Sequence, residues 1–300
     1  MPGTRCQGSQ PVGDSASRRR LLLGGCGCSI VGLQAIHPAR ASPTQPPLKN
    51  TALDRLFAQA MATGMDDYEA RLLETKTRLF ALARNHLESL DAPTNVLEVG
   101  IGAGAFTGLT RLPACTFGVS LTRASRSFAR SLGPNLRFLR GVPNMKIRGL
   151  EPNEYMTPYL EEEAAAQGLH VEIIPGYSER IPLETASQDL VVCTLVLCSV
   201  KDVAESLREM ARVLKPDGRL LVIEHVRAAE PGLLRLGQAV FNPLQQLLAD
   251  GCHLDRDFTD ASEAADLFDL EDLLGFRVPG LSILSPHKVG LLRRQEQVFP

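Results

Sequence analysis

Asn95-Val96-Leu97-Glu98-Val99-Gly100-Ile101-Gly102-Ala103-Gly104 is a short apolar run that ends in three alternating glycines. Such a run reads as a β-strand feeding a tight turn. Glycine is required where backbone turns with positive φ or must let a ligand come close, and a strand ending in such a turn opens a pocket at the carboxyl edge of an α/β sheet. Ala105 completes G-x-G-x-x-[GA], so a dinucleotide site stays open on the glycines alone. Glu98 discriminates, because a carboxylate two residues ahead of the first glycine disfavours pyrophosphate and suits a cationic ligand.

Outward from this junction the chain alternates helix and strand. Residues 68–90 place Leu72, Leu79, Phe80, Ala83, Leu87 and Leu90 at helical spacing ahead of Asp91-Ala92-Pro93. The next strand of a nucleotide-binding unit should end in an acid about 20 residues after the glycine loop, placed for ribose hydroxyls. The candidate, Lys146-Ile147-Arg148-Gly149-Leu150-Glu151, puts Glu151 51 residues after Gly100. Residues 105–133, however, are 29 residues without Asp or Glu, with four Arg and four Ser and poor periodicity. Removing them leaves 22, so this stretch is expected to be an insertion, or a translated intron, in an otherwise ordinary unit; the alternative is that it is the unit's own first crossover helix. Further on, residues 154–168 read as helix, 171–174, 189–197 and 220–224 as strands, and Asp202 with Glu205 as a helix start. Lys215-Pro216-Asp217-Gly218 stops that helix, and residues 278–284 and 288–292 are expected as a closing hairpin.

These residues resemble class I S-adenosylmethionine-dependent methyltransferases of the type-11 domain group. Besides the glycine run and Leu150-Glu151-Pro152-Asn153, the resemblance rests on Asp189-Leu190-Val191-Val192-Cys193-Thr194-Leu195-Val196-Leu197-Cys198-Ser199-Val200, Arg212-Val213-Leu214-Lys215-Pro216-Asp217-Gly218-Arg219-Leu220 and Glu224-His225-Val226. Within that class the chain is most similar to the membrane-associated thiol methyltransferase-like family and its plastid relatives, which share Asp250-Gly251-Cys252 and Ser285-Pro286-His287. The resemblance implies a doubly wound, mostly parallel, seven-stranded Rossmann-like α/β sheet with an antiparallel last strand. It implies S-adenosyl-L-methionine as cofactor: Glu98, Gly100, Gly102 and Gly104 at the methionine moiety, Glu151 on the ribose diol, Ser178 and Glu179 flanking the adenine, and Thr194 and Leu195 beneath the sulfonium. Tyr177 stands where many such enzymes carry an adenine-contacting acid.

Methyl transfer from a sulfonium needs alignment more than covalent catalysis, and a thiol acceptor, little ionised at neutral pH, gains from a nearby base. His225 and Asp250 are the candidate catalytic residues, with His253 beside them; polar strand-end, capping and solvent-facing roles stand against each. Lys76 and Tyr68 could close over the cofactor or serve the surface. Residues 231–258 carry Leu233, Leu234, Leu236, Val240, Phe241, Leu244, Leu247 and Leu248 at helical spacing, as a lipophilic lid or as core. The expected acceptor is small and lipophilic: a thiol first, a quinol or phenol next. An NAD(P)-dependent oxidoreductase of similar fold, or a non-catalytic protein with a disrupted glycine loop, is the alternative.

Composition bounds these readings. With 300 residues, 44% apolar and 22% charged, the chain can bury a full core. Net charge is −2, but residues 1–42 carry five Arg against Asp14 alone, so the remainder is acidic and offers no basic face for nucleic acid. Seven cysteines in this length make no disulfide scaffold, and Cys26-Gly27-Cys28 finds no second pair for a zinc set, so no metal is expected. Cys193 and Cys198 read as inert core thiols.

Arg18-Arg19-Arg20, an apolar stretch over residues 21–36 and Ala39-Arg40-Ala41 form a targeting layout, too short for a membrane span of about 20 residues. Residues 1–42 are therefore expected to direct the chain to a chloroplast, with the thylakoid as a further destination. A membrane anchor or a twin-arginine-like export signal is the alternative. Residues 43–66 read as linker, 67–300 as the methyltransferase domain, and peripheral membrane association is an expected property.

Overall fold

The computed structural model describes residues 48–49, 51–90, 93–102 and 135–296; the segments 1–42 and 105–133, with Gly104, lie outside them. The elements are α1 (Ala52–Gly64), α2 (Asp66–Glu88), β1 (Thr94–Val99), β2 (Met145–Glu151), α3 (Thr157–Gln167), β3 (Val171–Pro175), β4 (Gln188–Thr194), α4 (Val203–Val213), β5 (Leu214–His225), α5 (Leu233–Leu248), α6 (Ser262–Leu267), β6 (Leu274–Arg277) and β7 (Pro286–Arg293). One seven-stranded sheet has the order β3-β2-β1-β4-β5-β7-β6, and β7 runs antiparallel to both its neighbours. This is the expected doubly wound sheet with its last strand reversed.

Two apolar layers hold it. On one face Leu97, Val99, Val191, Cys193, Leu220 and Val222 pack with Leu207 and Met210 of α4. On the other, Val96, Leu190, Val192, Leu221 and Ile223 pack with Leu72, Phe80 and Leu87 of α2. Every residue of β4 is buried, as expected of a central parallel strand covered on both sides. Each fully buried aliphatic side chain contributes about 1.5–3 kcal/mol. Asp202 caps α4 by accepting the Glu205 N–H at 3.0 Å, and Gly168 ends α3 in the left-handed conformation.

Four local expectations change. Residues 52–64, inside the stretch read as linker, form α1: Thr51 and Asp54 make a capping box, and Ala58 and Met61 are buried. β5 starts at Leu214 and already pairs with Gln188, so Lys215-Pro216-Asp217-Gly218 lies within it as well as ending the helix. Residues 278–284 are a turn and a 3-10 helix rather than a strand, because Pro279 and Gly280 (φ 82°) break extension; the partner of β7 is β6. In α5 the leucines stay out of the core, and Leu247 and Leu248 line a small cavity with Leu53 and Leu56 of α1. Leu233 is 88% exposed, Leu236, Val240, Phe241, Leu244, Leu247 and Leu248 are exposed too, and the buried face is Gln238, Asn242 and Gln245. Helical spacing reveals an apolar stripe but not which way it turns.

Candidate active site

A cavity of about 470 Å³ opens at the carboxyl edge of the sheet, where the strand order reverses between β1 and β4. Gly100 takes φ 61° as β1 ends and donates its N–H to Leu150 O at 2.8 Å, which brings the loop close over β2. Glu151, the last residue of β2, is on the cavity wall. Its Oε2 accepts the Gly102 N–H at 3.1 Å and its Oε1 the Asn153 N–H at 2.9 Å. A Cβ at position 102 would lie 2.9 Å from Met156 Cγ and 3.1 Å from Glu151 Oε2, so a side chain there would have to displace the Met156 thioether and crowd the carboxylate. Burial raises the Glu151 carboxyl to about 7 against these two hydrogen bonds.

Ser178, Glu179 and Leu195 also line the cavity, as does Tyr177. Ser178 is fixed by a 2.8 Å contact with Ser206, and Glu179 by the Lys201 N–H at 2.8 Å, which ties the wall to the start of α4. Leu195 has φ 56°, a conformation costly for a side chain with a Cβ. Glu224 supports it from below: its Oε1 accepts the N–H groups of Val196 (2.7 Å) and Leu197 (2.9 Å), and burial raises its carboxyl to about 7. Sequence reading passed over this role, since an acid ending an apolar strand carries no sign of which backbone it will meet.

Glu98 and Thr194 are not on the wall. Both meet Asn135 on the α2 side of the sheet, where the Asn135 amide donates to Glu98 Oε1 and to Thr194 Oγ1, each at 2.8 Å. Glu98 is 1% exposed, and burial raises its carboxyl to about 7 against Asn135 and Lys76. Among the described residues Glu98 Oε2 and Asn135 Oδ1 have no hydrogen-bond partner. These are two buried acceptors without a donor, next to the glycine turn. Lys76 is buried in an ion pair with Glu69 at 2.7 Å, and the Tyr68 hydroxyl is buried 3.0 Å from His287 Nε2. Neither side chain closes over the cavity, and neither is at the surface.

At the far end of the cavity α5 supplies Gln246, and the segment after it Asp250, Cys252, His253 and Arg256. Asp250 (φ 53°) and Gly251 (φ 78°) form a doubly left-handed turn. Lys49 reaches across to Asp250 at 2.5 Å, so this carboxylate is paired rather than free to act as a base. His225 is buried behind the wall with Nε2 3.0 Å from Cys252 Sγ, and the thiols of Cys252 and Cys198 stand between it and the cavity. His253 is on the wall, half-exposed, 3.7 Å from Asp255. Lys49 was hidden from sequence reading by the prolines around it, and Cys252 had no signal beyond a shared tripeptide.

The site suits S-adenosylmethionine on its own terms. The volume falls within the range of small-molecule pockets, a carboxylate ends β2 on the wall, and the turn at Gly102 is packed against Met156 and that carboxylate. Residues 131–222 match the family profile of a methyltransferase domain. The chain is 34% identical over 164 residues to thiol S-methyltransferase TMT1B of Rattus norvegicus, covering 53% of this chain and 65% of the relative. It is 32% identical over 163 residues to thiol S-methyltransferase TMT1A of Homo sapiens, with the same coverage, so it spans less than two thirds of either relative. A solved structure from Galdieria sulphuraria, a methyltransferase named for sarcosine and dimethylglycine, superposes with a TM-score of 0.51 at 16% identity, covering 82% of this chain and 99% of that one, and speaks to fold alone. The chain thus carries a methyltransferase domain on the class I fold, similar in sequence to the thiol S-methyltransferases.

Proposed function

We propose that the protein is an S-adenosylmethionine-dependent methyltransferase acting on a small lipophilic thiol. The observation that carries the reading is Glu151, a carboxylate at the end of β2 held by the Gly102 and Asn153 N–H groups on the wall of a cavity at the β1/β4 switch point. When bound, the cofactor supplies an activated methyl group on a cationic sulfur. Glu151 accepts from the ribose hydroxyls, and Ser178, Glu179 and Tyr177 bound the adenine end. Leu195, braced by Glu224, forms the apolar floor beneath the sulfur. Alignment of this kind can contribute roughly 7–11 kcal/mol to the barrier. His253, on the wall, takes the thiol proton, while Asp250 and Lys49 position the turn that carries it.

Titration with S-adenosylmethionine and with NAD(P)H, followed by labelled-methyl transfer to a panel of alkyl thiols, phenols and quinols, tests this. Binding of the sulfonium cofactor alone, with thiols methylated first, is expected. Binding of NAD(P)H, or transfer to phenols but not thiols, overturns it.

We also infer that the outward apolar face of α5, continuous through Leu247 and Leu248 with Leu53 and Leu56 of α1, lies against a lipid surface from which a lipophilic acceptor enters. Phe241→Asp should then weaken sedimentation with phosphatidylcholine vesicles and leave turnover of a water-soluble thiol intact. Residues 1–42 are proposed as a chloroplast address, tested by fusing them to a fluorescent reporter. Residues 105–133 are proposed as an insertion whose removal preserves or raises cofactor affinity.

A further inference from the structure

Cys198, His225 and Cys252 come from three separate segments: the turn midway between β4 and α4, the end of β5 and the turn after α5. Their ligand atoms all lie within 4.8 Å of one another, and all three residues are buried. Cys198 and Cys252 are at the same time on the cavity wall. Polar groups surround the two sulfurs, although Cys252 and burial hold the Cys198 thiol protonated, well above its ordinary value, without a cation. The Gln245 side-chain amide, on the buried polar face of α5, donates to Cys252 Sγ at 3.5 Å. Ser199 Oγ lies 3.5 Å from Cys198 Sγ. The Arg256 guanidinium, bonded to the Leu197, Cys198 and Val200 carbonyls at 3.0, 3.2 and 2.7 Å, holds a positive charge beside the loop. The backbone pins the two thiols together, since the His253 N–H donates to Cys198 O at 2.9 Å.

We propose that these three residues form a binding site for a thiophilic divalent cation, zinc by its chemistry, with one coordination position open to the cavity. Two thiolates and one imidazole select zinc over magnesium or calcium. Three protein ligands with an open fourth position are the arrangement of a catalytic rather than a structural zinc site. Two thiolates also neutralise the cation's charge, which a buried site requires. Around a tetrahedral ion, nitrogen and sulfur ligands sit about 3.5 Å apart, so the 3.0 Å contact between His225 and Cys252 opens by about half an ångström on loading.

The inference rests on the thiol acceptor proposed above and gives that acceptor its activation. A thiol entering the open position loses its proton to His253 on the same wall and is held as thiolate. Its lone pair then forms the new sulfur–methyl bond as the sulfonium–methyl bond breaks, with that electron pair returning to the cofactor sulfur. The resulting thioether is neutral, a poorer ligand, and leaves.

The test is metal analysis of the full chain purified from zinc-supplemented medium, followed by Co²⁺ replacement. About one zinc per chain and the intense visible and thiolate-to-metal absorption of tetrahedral Co²⁺ are expected. Adding a simple alkanethiol should shift that spectrum. Cys198→Ser and Cys252→Ser should lose the metal while retaining circular dichroism and a cooperative melt. Gln245→Leu, which removes a supporting hydrogen bond but no ligand, should weaken Co²⁺ binding about 10- to 100-fold.

Protein that takes up neither ion, or that carries a Cys198–Cys252 disulfide and no metal, overturns the proposal. The two readings fail separately. Full thiol methylation by metal-free protein removes the cation's part in activating the thiol and leaves the methyltransferase, whereas Co²⁺ binding without thiol methylation keeps the site and removes the acceptor.

Discussion

Replacing Glu151 by Gln tests the cofactor site at its most defined point. The carboxylate accepts two backbone N–H groups, from Gly102 at 3.1 Å and Asn153 at 2.9 Å. Glutamine is nearly isosteric but offers one acceptor oxygen and turns an NH₂ toward the other N–H, so one charge-assisted hydrogen bond is lost in a buried position. Such a bond contributes about 1.5–3 kcal/mol. Because the Gly102 turn is what these bonds hold, the loss should appear in cofactor affinity, as about 10- to 150-fold weaker binding.

Proton linkage sharpens the expectation. Burial raises this carboxyl to about 7, and a cationic ligand favours its ionised form. Binding therefore releases a proton, and affinity should rise with pH from 6 to 8 in the wild type and flatten in Glu151→Gln. Calorimetric titration at several pH values, with a thermal melt to verify folding, measures both. A folded Glu151→Gln protein binding within about threefold of wild type, with the pH slope unchanged, would refute the reasoning.

Without cofactor, stability should fall as pH rises through 7. Glu98, Glu151 and Glu224 each stand at about 7 in the fold against 4.5 unfolded, so the native state holds more protons between those values, on the order of 3 kcal/mol per group. His287, lowered to about 4 by burial, works oppositely below 6.5 and is outweighed, so urea midpoints should be higher at pH 5.5 than at pH 8. Asp250→Ala should destabilise more than Asp250→Asn, by about 1 kcal/mol in chemical denaturation, because Asn tolerates the left-handed φ of 53° at that turn. Leu97→Ala, in the middle of β1 and wholly buried, should cost about 2–5 kcal/mol in the same measurement.

The sheet was legible because its signals are local. Residues 95–104, 189–194 and 220–224 are apolar runs ended by glycine, a loop or an acid, and parallel strands covered on both faces must be written that way. Asp202 and Glu205 mark a helix start that needs no tertiary partner. Glu151 could be placed at the end of β2 because its position follows from the strand itself. What only the tertiary structure decided are matters of direction and of meeting. A stripe of leucines at helical spacing is the same stripe whether it faces core or solvent, and in α5 it is Gln238 and Gln245 that find buried partners. Glu98 alternates off the cavity wall toward Asn135, as the two-residue period of a strand dictates once the sheet faces are known. Cys198, His225 and Cys252 carry no spacing motif at all, because only the ends of β4, β5 and α5, gathered at one sheet edge, bring them within reach of a single ligand.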